Sequence, residues 1–292
     1  MVKYEGVGDI IFRVFNYLIL SLAALSCLLP FIHIFVSSFT SAGEILQKGF
    51  VLIPEHPTLS AYKQIFSTRT FVRSLGVSAF VTVAGTGINM VMTVMMAYAL
   101  AYKPLVGRKV FNFLVLFTML FGGGMIPTYL VVRDLKLLDT FWALMIPGAI
   151  SSYNMIIVRN AFSNTPVELA ESARIDGAND ALILVRIVLP ITMPTLAAIA
   201  LFYAVGHWNS YFTAILYIND PKKWPIQVLL RSLVILTNGA IGSGDELDSS
   251  VKVPTETMQM ATIIVATLPI LILYPFLQKY FAKGALIGSI KG

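Results

Sequence analysis

Residues Ser74 to Ala101 read SLGVSAFVTVAGTGINMVMTVMMAYALA, 28 positions without one Asp, Glu, Lys or Arg. A hydrocarbon core takes about 20 consecutive apolar residues per helix, so this stretch is long enough to cross with some tilt. Five more uncharged runs follow the same rule, at about 14–39, 110–132, 140–158, 187–218 and 257–278. Composition agrees. Apolar types make up 57% of the 292 residues, mean hydropathy is +0.79, and charged residues are 12%, against roughly 25% in ordinary soluble domains. A soluble protein is excluded. So is a transmembrane barrel, because the runs are continuously apolar rather than alternating. The expected fold is all-α, a single transmembrane domain over residues 1–292 with six spans.

The first run follows Lys3 and Arg13 but exceeds a signal-peptide core and lacks an Ala-x-Ala exit, so it reads as an uncleaved anchor. Six crossings place both termini on one side. The short connection Tyr102 to Lys109 carries Lys103, Arg108 and Lys109 and no acid, which puts it and both termini in the cytoplasm by the positive-inside rule. The whole-chain balance of basic residues is nearly even. Outside would then lie about 40–73, a turn near Arg133 to Leu138, and about 219–256. Net charge is +6, the sign that Lys and Arg at span ends give, and no basic block with interleaved aromatics suggests nucleic acid. The single Cys27 allows no internal disulfide.

Within the proposed inside loop 163–190, Ser163-Asn164-Thr165-Pro166-Val167-Glu168-Leu169-Ala170-Glu171-Ser172-Ala173-Arg174-Ile175-Asp176-Gly177-Ala178 has the grammar of a short, bounded helix. Thr165 as N-cap, Pro166 in the first turn and Glu168 three after the cap form a capping box, and Gly177 supplies a left-handed stop. A second helical stretch from Asp180 runs through Pro190 into the fifth span. Small Ala170, Ser172 and Ala173 would admit a close partner surface, and Glu171 and Arg174 would offer it charge. An ordinary amphipathic helix lying on the membrane fits the same residues.

Glu171-Ser172-Ala173, Asp176-Gly177-Ala178 and Ile187-Val188-Leu189-Pro190 resemble the EAA loop of ABC-importer permeases, departing only by Ser172 for the middle Ala. Gly123-Gly124-Met125-Ile126-Pro127-Thr128-Tyr129, Leu137-Leu138-Asp139-Thr140-Phe141-Trp142-Ala143-Leu144, Trp208-Asn209 and the terminal Lys283-Gly284 to Lys291-Gly292 extend the likeness to MalG-like carbohydrate permeases, nearest the LplC/YtcP-like branch. The resemblance implies the type I importer permease fold in a cytoplasmic membrane. It also implies a heterodimer with a sister permease, two cytoplasmic ATPase subunits that hold ATP and Mg, an extracytoplasmic solute-binding protein, and an oligosaccharide as cargo. By that likeness Glu171, Ser172, Ala173, Arg174, Asp176, Gly177 and Ala178 couple to an ATPase, and Lys291 and Gly292 reach it from the tail. Asn238, Gly239, Gly242 and Gly244 would dock the binding protein, where the bland reading is a flexible connector.

No Gly-x-x-x-x-Gly-Lys-Ser/Thr occurs, so this chain is not expected to cradle ATP. His33, His56 and His207 are scattered and suggest no metal site. The alternative function is an ion-coupled secondary sugar transporter, disfavoured because the runs carry no ionisable residue beyond histidine and show no inverted repeat. Sugar contacts would come from Trp142, Tyr153, Asn154, Trp208, Asn209 and Tyr211, residues that equally suit an interfacial belt. Lys222, Lys223, Arg231 and Lys252, with Arg133 and Lys136, could give the outer mouth a positive field favouring an acidic oligosaccharide, unless Asp245, Glu246 and Asp248 balance them. Gly85-Thr86-Gly87 suggests a close helix crossing rather than a functional loop.

Overall fold

The computed structural model describes residues 7–237 and 256–289, and every regular element among them is helical. Contacts group the chain into two compact units, Met1–Arg69 with Leu230–Thr267, and Thr70–Leu229 with Leu268–Gly292. In chain order the helices are α1 (Val7–Ser38), α2 (Ala42–Lys48), α3 (Ser60–Ser67), α4 (Arg69–Ala101), α5 (Arg108–Leu120), α6 (Met125–Asp134), α7 (Trp142–Met145), α8 (Ser152–Ser163), α9 (Val167–Ile175), α10 (Asp180–Ile183), α11 (Leu189–Trp208), α12 (Phe212–Tyr217), α13 (Ile226–Thr237) and α14 (Glu256–Ser289).

Four continuous stretches are long and apolar enough to cross a membrane: Gly8–Ser38, Arg69–Ala101, Asp180–Trp208 and Glu256–Leu273. The third run breaks into α5 and α6, bent by 115°, and counts as a fifth if taken as one span. The break falls at Gly122 to Gly124, where Gly124 has φ +82; a glycine triplet ahead of Pro127 is itself a local signal for a kink. The run at 140–158 does not form the single helix expected of it. Its first turn, α7, stops before Pro147 and Gly148, and α8 starts five residues later. Pro147 has no N–H to give and Gly148 has the least reason to stay helical.

An opening of that kind in an apolar run frees backbone polar groups, which in a membrane need partners from the protein itself. The second unit supplies them from two long helices. Asn89 on α4 donates its Nδ2 to the Gly148 carbonyl at 3.0 Å. Tyr203 on α11 receives the Ser151 N–H on its hydroxyl at 3.0 Å and shares a 2.7 Å hydrogen bond with Thr93 Oγ1. His207 Nε2 lies 3.2 Å from Asn89 Oδ1. Contacts pair 93 with 203 and 89 with 207, so α4 and α11 run antiparallel along one polar seam. The expected close crossing at Gly85 is real: a Cβ built there would sit 2.6 Å from His207 Nε2.

Entry into α11 carries a second irregularity. Leu184–Val188 form a π turn between α10 and α11, immediately before Pro190. A proline in a helix clashes with the carbonyl four residues back and leaves it unbonded, and a wider turn relieves both. Thr192 Oγ1 then donates to the Val188 carbonyl at 2.7 Å.

The first unit is held by its own polar ties. Tyr62 and Ser38 hydroxyls are 2.7 Å apart, the Thr58 N–H reaches the Phe39 carbonyl at 2.7 Å, and buried Glu44 accepts from the Glu55 N–H at 3.0 Å while pairing with Lys48 at 3.2 Å. Gln259 on α14 donates to the Leu233 carbonyl of α13 at 2.9 Å. By contrast α1 has no buried residue in its most apolar window and leaves that surface for lipid or another subunit.

The Gly85 crossing gives a paired expectation. Gly85→Ala forces its new methyl against a His207 ring already tied to Asn89 and should lower stability by about 1–3 kcal/mol. Gly87→Ala has nothing within 4 Å and should be neutral or mildly stabilising. Thermal unfolding of the two detergent-purified variants checks the contrast.

Candidate functional site

α9 begins one residue later than the capping-box reading requires. Pro166 itself is the N-cap, with no side-chain cap bond, and Thr165 closes the turn that ends α8 by donating its N–H to the Phe162 carbonyl at 3.1 Å. Thr165 therefore belongs to the preceding helix end. Its Oγ1 is buried without a hydrogen-bond partner, and Glu168 caps nothing.

The other end of α9 is as the sequence indicates. Gly177 has φ +86, its N–H reaches the Arg174 carbonyl at 3.0 Å, and the Ala178 N–H reaches the Ala173 carbonyl at 2.9 Å. These two bonds make a complete Schellman motif. A Cβ on Gly177 would meet nothing within 4 Å, so the left-handed φ rather than crowding selects glycine there. Two residues later Asn179 caps α10, accepting the Leu182 N–H on Oδ1 at 2.9 Å.

Not one residue of α9 is buried. Ala170, Ala173 and Ala178 lean on the apolar core that includes Phe162, Ile183 and Val188. Val167, Leu169 and Ile175 are exposed, Ile175 to 87%. Glu171, Ser172 and Asp176 are exposed too, and among the described residues Glu171 has no ion pair. Arg174 turns inward: its Nη2 is 2.9 Å from Asp180 Oδ1 and its guanidinium lies 5.4 Å from the Tyr102 ring centre. A cleft of about 550 Å³ opens behind the helix, walled by Tyr98, Tyr102, Phe162, Ala170, Glu171 and Arg174.

The six aromatic and amide candidates do not gather into one site. Asn154 and Trp208 are buried, Tyr153 is exposed, Asn209 is the exposed C-cap of α11, and Tyr211 packs beside Val81 and Ala214. Trp142, 53% exposed, lines a cleft of about 370 Å³ with Phe80, Phe141, Asp139 and Lys223. Asn238, Gly239, Gly242, Gly244, Lys291 and Gly292 lie outside the described residues.

Sequence reasoning missed the clasp beside Trp142. Asp139, at φ +57, accepts the Asp220 and Asn219 N–H groups on Oδ1 at 3.0 and 3.2 Å, and Lys223 Nζ on Oδ2 at 3.0 Å. Lys223 also donates to the Asp139 carbonyl at 2.6 Å. The Asp220 amide first, then the Lys223 ammonium, hold this carboxyl below its ordinary value. Arg133 is likewise paired, with Asp134 at 3.0 Å, so two of the basic charges expected at the outer mouth are balanced locally. The seam residues Asn89 and Tyr203 were also missed, although an Asn inside an uncharged run is itself a signal.

Compared with known proteins, the sequence profile of the family described as "Binding-protein-dependent transport system inner membrane component" matches residues 2–286. The chain is 54% identical to the polygalacturonan/rhamnogalacturonan transport system permease protein YtcP of Bacillus subtilis, covering 96% of this chain and 99% of that one. It is 50% identical to Protein LplC of the same organism, over 97% and 95% of the two chains. Among solved structures, a chain of a bacterial ABC transporter involved in the import of the acidic polysaccharide alginate superposes with a TM-score of 0.87 at 35% identity, covering 96% of this chain and all of that one.

A carboxyl held below its unfolded value stabilises the fold above that value, about 3.9 for Asp, and the stabilisation is lost as pH falls through the folded one. Asp139→Asn should therefore melt below wild type at pH 7, with the gap closing as the pH drops under about 4. Melting curves of both proteins at the two pH values provide the check.

Proposed function

The chain belongs to the family of binding-protein-dependent transport system inner membrane components, and we propose that it is a multi-pass permease that translocates an acidic oligosaccharide by alternating access driven by ATP. The chain crosses the membrane six times with both termini in the cytoplasm. The broken runs at 110–132 and 140–158 each serve as one crossing, supported by the neighbouring helices that satisfy their free backbone groups. It pairs with a sister permease, receives cargo from a solute-binding protein outside, and takes its energy from two ATPase subunits that bind ATP and Mg.

The observation that carries this reading is α9. A nine-residue helix with no buried side chain, an unpaired Glu171 and exposed Val167, Leu169 and Ile175 is built to be completed by another protein. It is anchored at Gly177 directly ahead of the Asp180–Trp208 span, so movement of the helix is delivered to that span. Glu171, Ser172 and Asp176 face the ATPase, Ala173 and Ala178 seat the helix on the core, and Lys291 and Gly292 extend the contact from the tail. The loop bearing Asn238, Gly239, Gly242 and Gly244 docks the binding protein.

An acidic cargo is supported by the relatives named for polygalacturonan or rhamnogalacturonan and for alginate, all of them acidic, uronate-containing polymers. Trp142 and Phe80 give a sugar ring apolar faces to stack on at the outer cleft. Asn154 and Trp208, both buried, and Tyr153, Asn209 and Tyr211 offer further contacts along the path. The ion-coupled carrier has no comparable support: no Asp, Glu, Lys or Arg lies in any of the six apolar runs, and the relatives are importer permeases.

In the assembled complex, Glu171→Ala and Gly177→Asp should insert normally yet abolish uptake of oligogalacturonate, with the ATPase lost from membranes or hydrolysing without regard to loaded binding protein. Glu168→Ala should remain near wild type, since Glu168 caps nothing. Uptake of labelled oligogalacturonate, with a neutral oligosaccharide as control, and ATPase retention in washed membranes are measured together. Wild-type uptake in Glu171→Ala and Gly177→Asp, or preference for the neutral sugar, would overturn the corresponding half of the proposal.

A further inference from the structure

What fixes the direction of α9 is not obvious from its burial. Isolated helices shorter than about 12–15 residues are marginal in water, and this one has nine residues and contributes no buried side chain. The Schellman turn stops it but does not orient it, because Ala178 and Asn179 still intervene before α10. Ala170 and Ala173 touch the core only through their methyls, which leaves the angle of the helix to contacts that bridge α9 to the helices on either side of it.

Those contacts meet at one side chain. Arg174 sits in the last turn of α9 and bonds Asp180 Oδ1, at the start of α10, at 2.9 Å. Its guanidinium lies over the ring of Tyr102, the residue that follows α4, at 5.4 Å. The Tyr98 hydroxyl, one turn back on α4, donates to the Asp180 carbonyl at 3.3 Å. Three elements are thus tied through a single planar cation. An exposed ion pair in isolation contributes little. Here the same group is also stacked, and a guanidinium can stack and bond in its plane at once, whereas an ammonium cannot.

We propose that Arg174 is a positioning residue rather than a contact of the ATPase: it is the strut that holds α9 at a fixed angle to α4 and α10, leaving Glu171 as the charge offered outward. The inference rests on the coupling role proposed above. With the strut in place, displacement of α9 turns the start of the Asp180–Trp208 span. Without it, the helix stays docked and pivots about Gly177 without moving the span.

The test uses the full complex of this chain with its sister permease, ATPases and binding protein, carrying Arg174→Ala, Asp180→Asn, both together, or Arg174→Lys. ATPase retention and basal hydrolysis should match wild type, while stimulation of hydrolysis by loaded binding protein falls about fivefold or more in each Ala or Asn single variant. The double variant should be no worse than either single one, because both remove the same strut, and Arg174→Lys should recover part of the stimulation. Unchanged stimulation in the single variants, loss of the ATPase from membranes in Arg174→Ala, or losses that multiply in the double variant would each overturn the strut. Glu171→Ala, run alongside, separates the two readings. Wild-type retention and uptake there sinks the coupling role itself, whereas a defect there with normal stimulation in Arg174→Ala sinks only the strut.

Discussion

The Gly148 carbonyl and the Ser151 N–H are backbone groups released by the break in the 140–158 run, and the second unit is arranged around giving them partners. Both hydrogen bonds are partly buried, and in an apolar membrane a backbone group left unbonded would have no water to turn to. Asn89 and the Tyr203 hydroxyl meet that demand, which fixes where α4 and α11 must lie along each other. Gly85 follows as a consequence: with Asn89 holding the His207 ring in the seam, only a residue without a side chain fits beneath it.

Around that fixed seam the chain leaves other parts deliberately incomplete. α9 carries exposed Ile175 and Val167 and no buried residue, so its seat on the core is shallow, through the methyls of Ala170 and Ala173, and hydrogen bonds and charge complete it. Contacts of that kind are released and remade with little unpacking, as the coupling role proposed for this helix would need. The Asp139 clasp serves the opposite purpose. It binds one carboxylate to two backbone amides and an ammonium from 80 residues away, and gives the turn after α6 a rigid footing.

Much of this could be read from residues alone, and the limits of that reading have physical causes. The glycine triplet at 122–124 signalled the sharp bend and Gly177 the left-handed stop, because both are local properties of the chain. The family was legible in the motifs around Glu171, Gly177 and Pro190. Thr165 was misassigned because a cap is decided by where the helix starts, and the α8 end claimed that residue first. Pro147 marks a kink on sight, but an uncharged run looks the same whether it bends or breaks outright, so the full break at Pro147 and Gly148 was not legible. The seam and the clasp join positions 52 to 118 residues apart, and no pattern of spacing reveals which distant side chains meet.

The π turn at Leu184–Val188 has a bearing on how this region can change length over evolutionary time. A π turn is in effect one extra residue absorbed by a helix, and each residue of an α-helix turns the chain by about 100°. The distance between the surface helix and the membrane helix is therefore kept in whole residues. Removing one residue there would restore regular winding and leave the flanking helices near their present register, whereas removing one from the regular helix beyond it would turn α9 by about 100° around the axis of α11. The π turn is thus the place in this connector where a residue can be lost without turning the face that α9 presents.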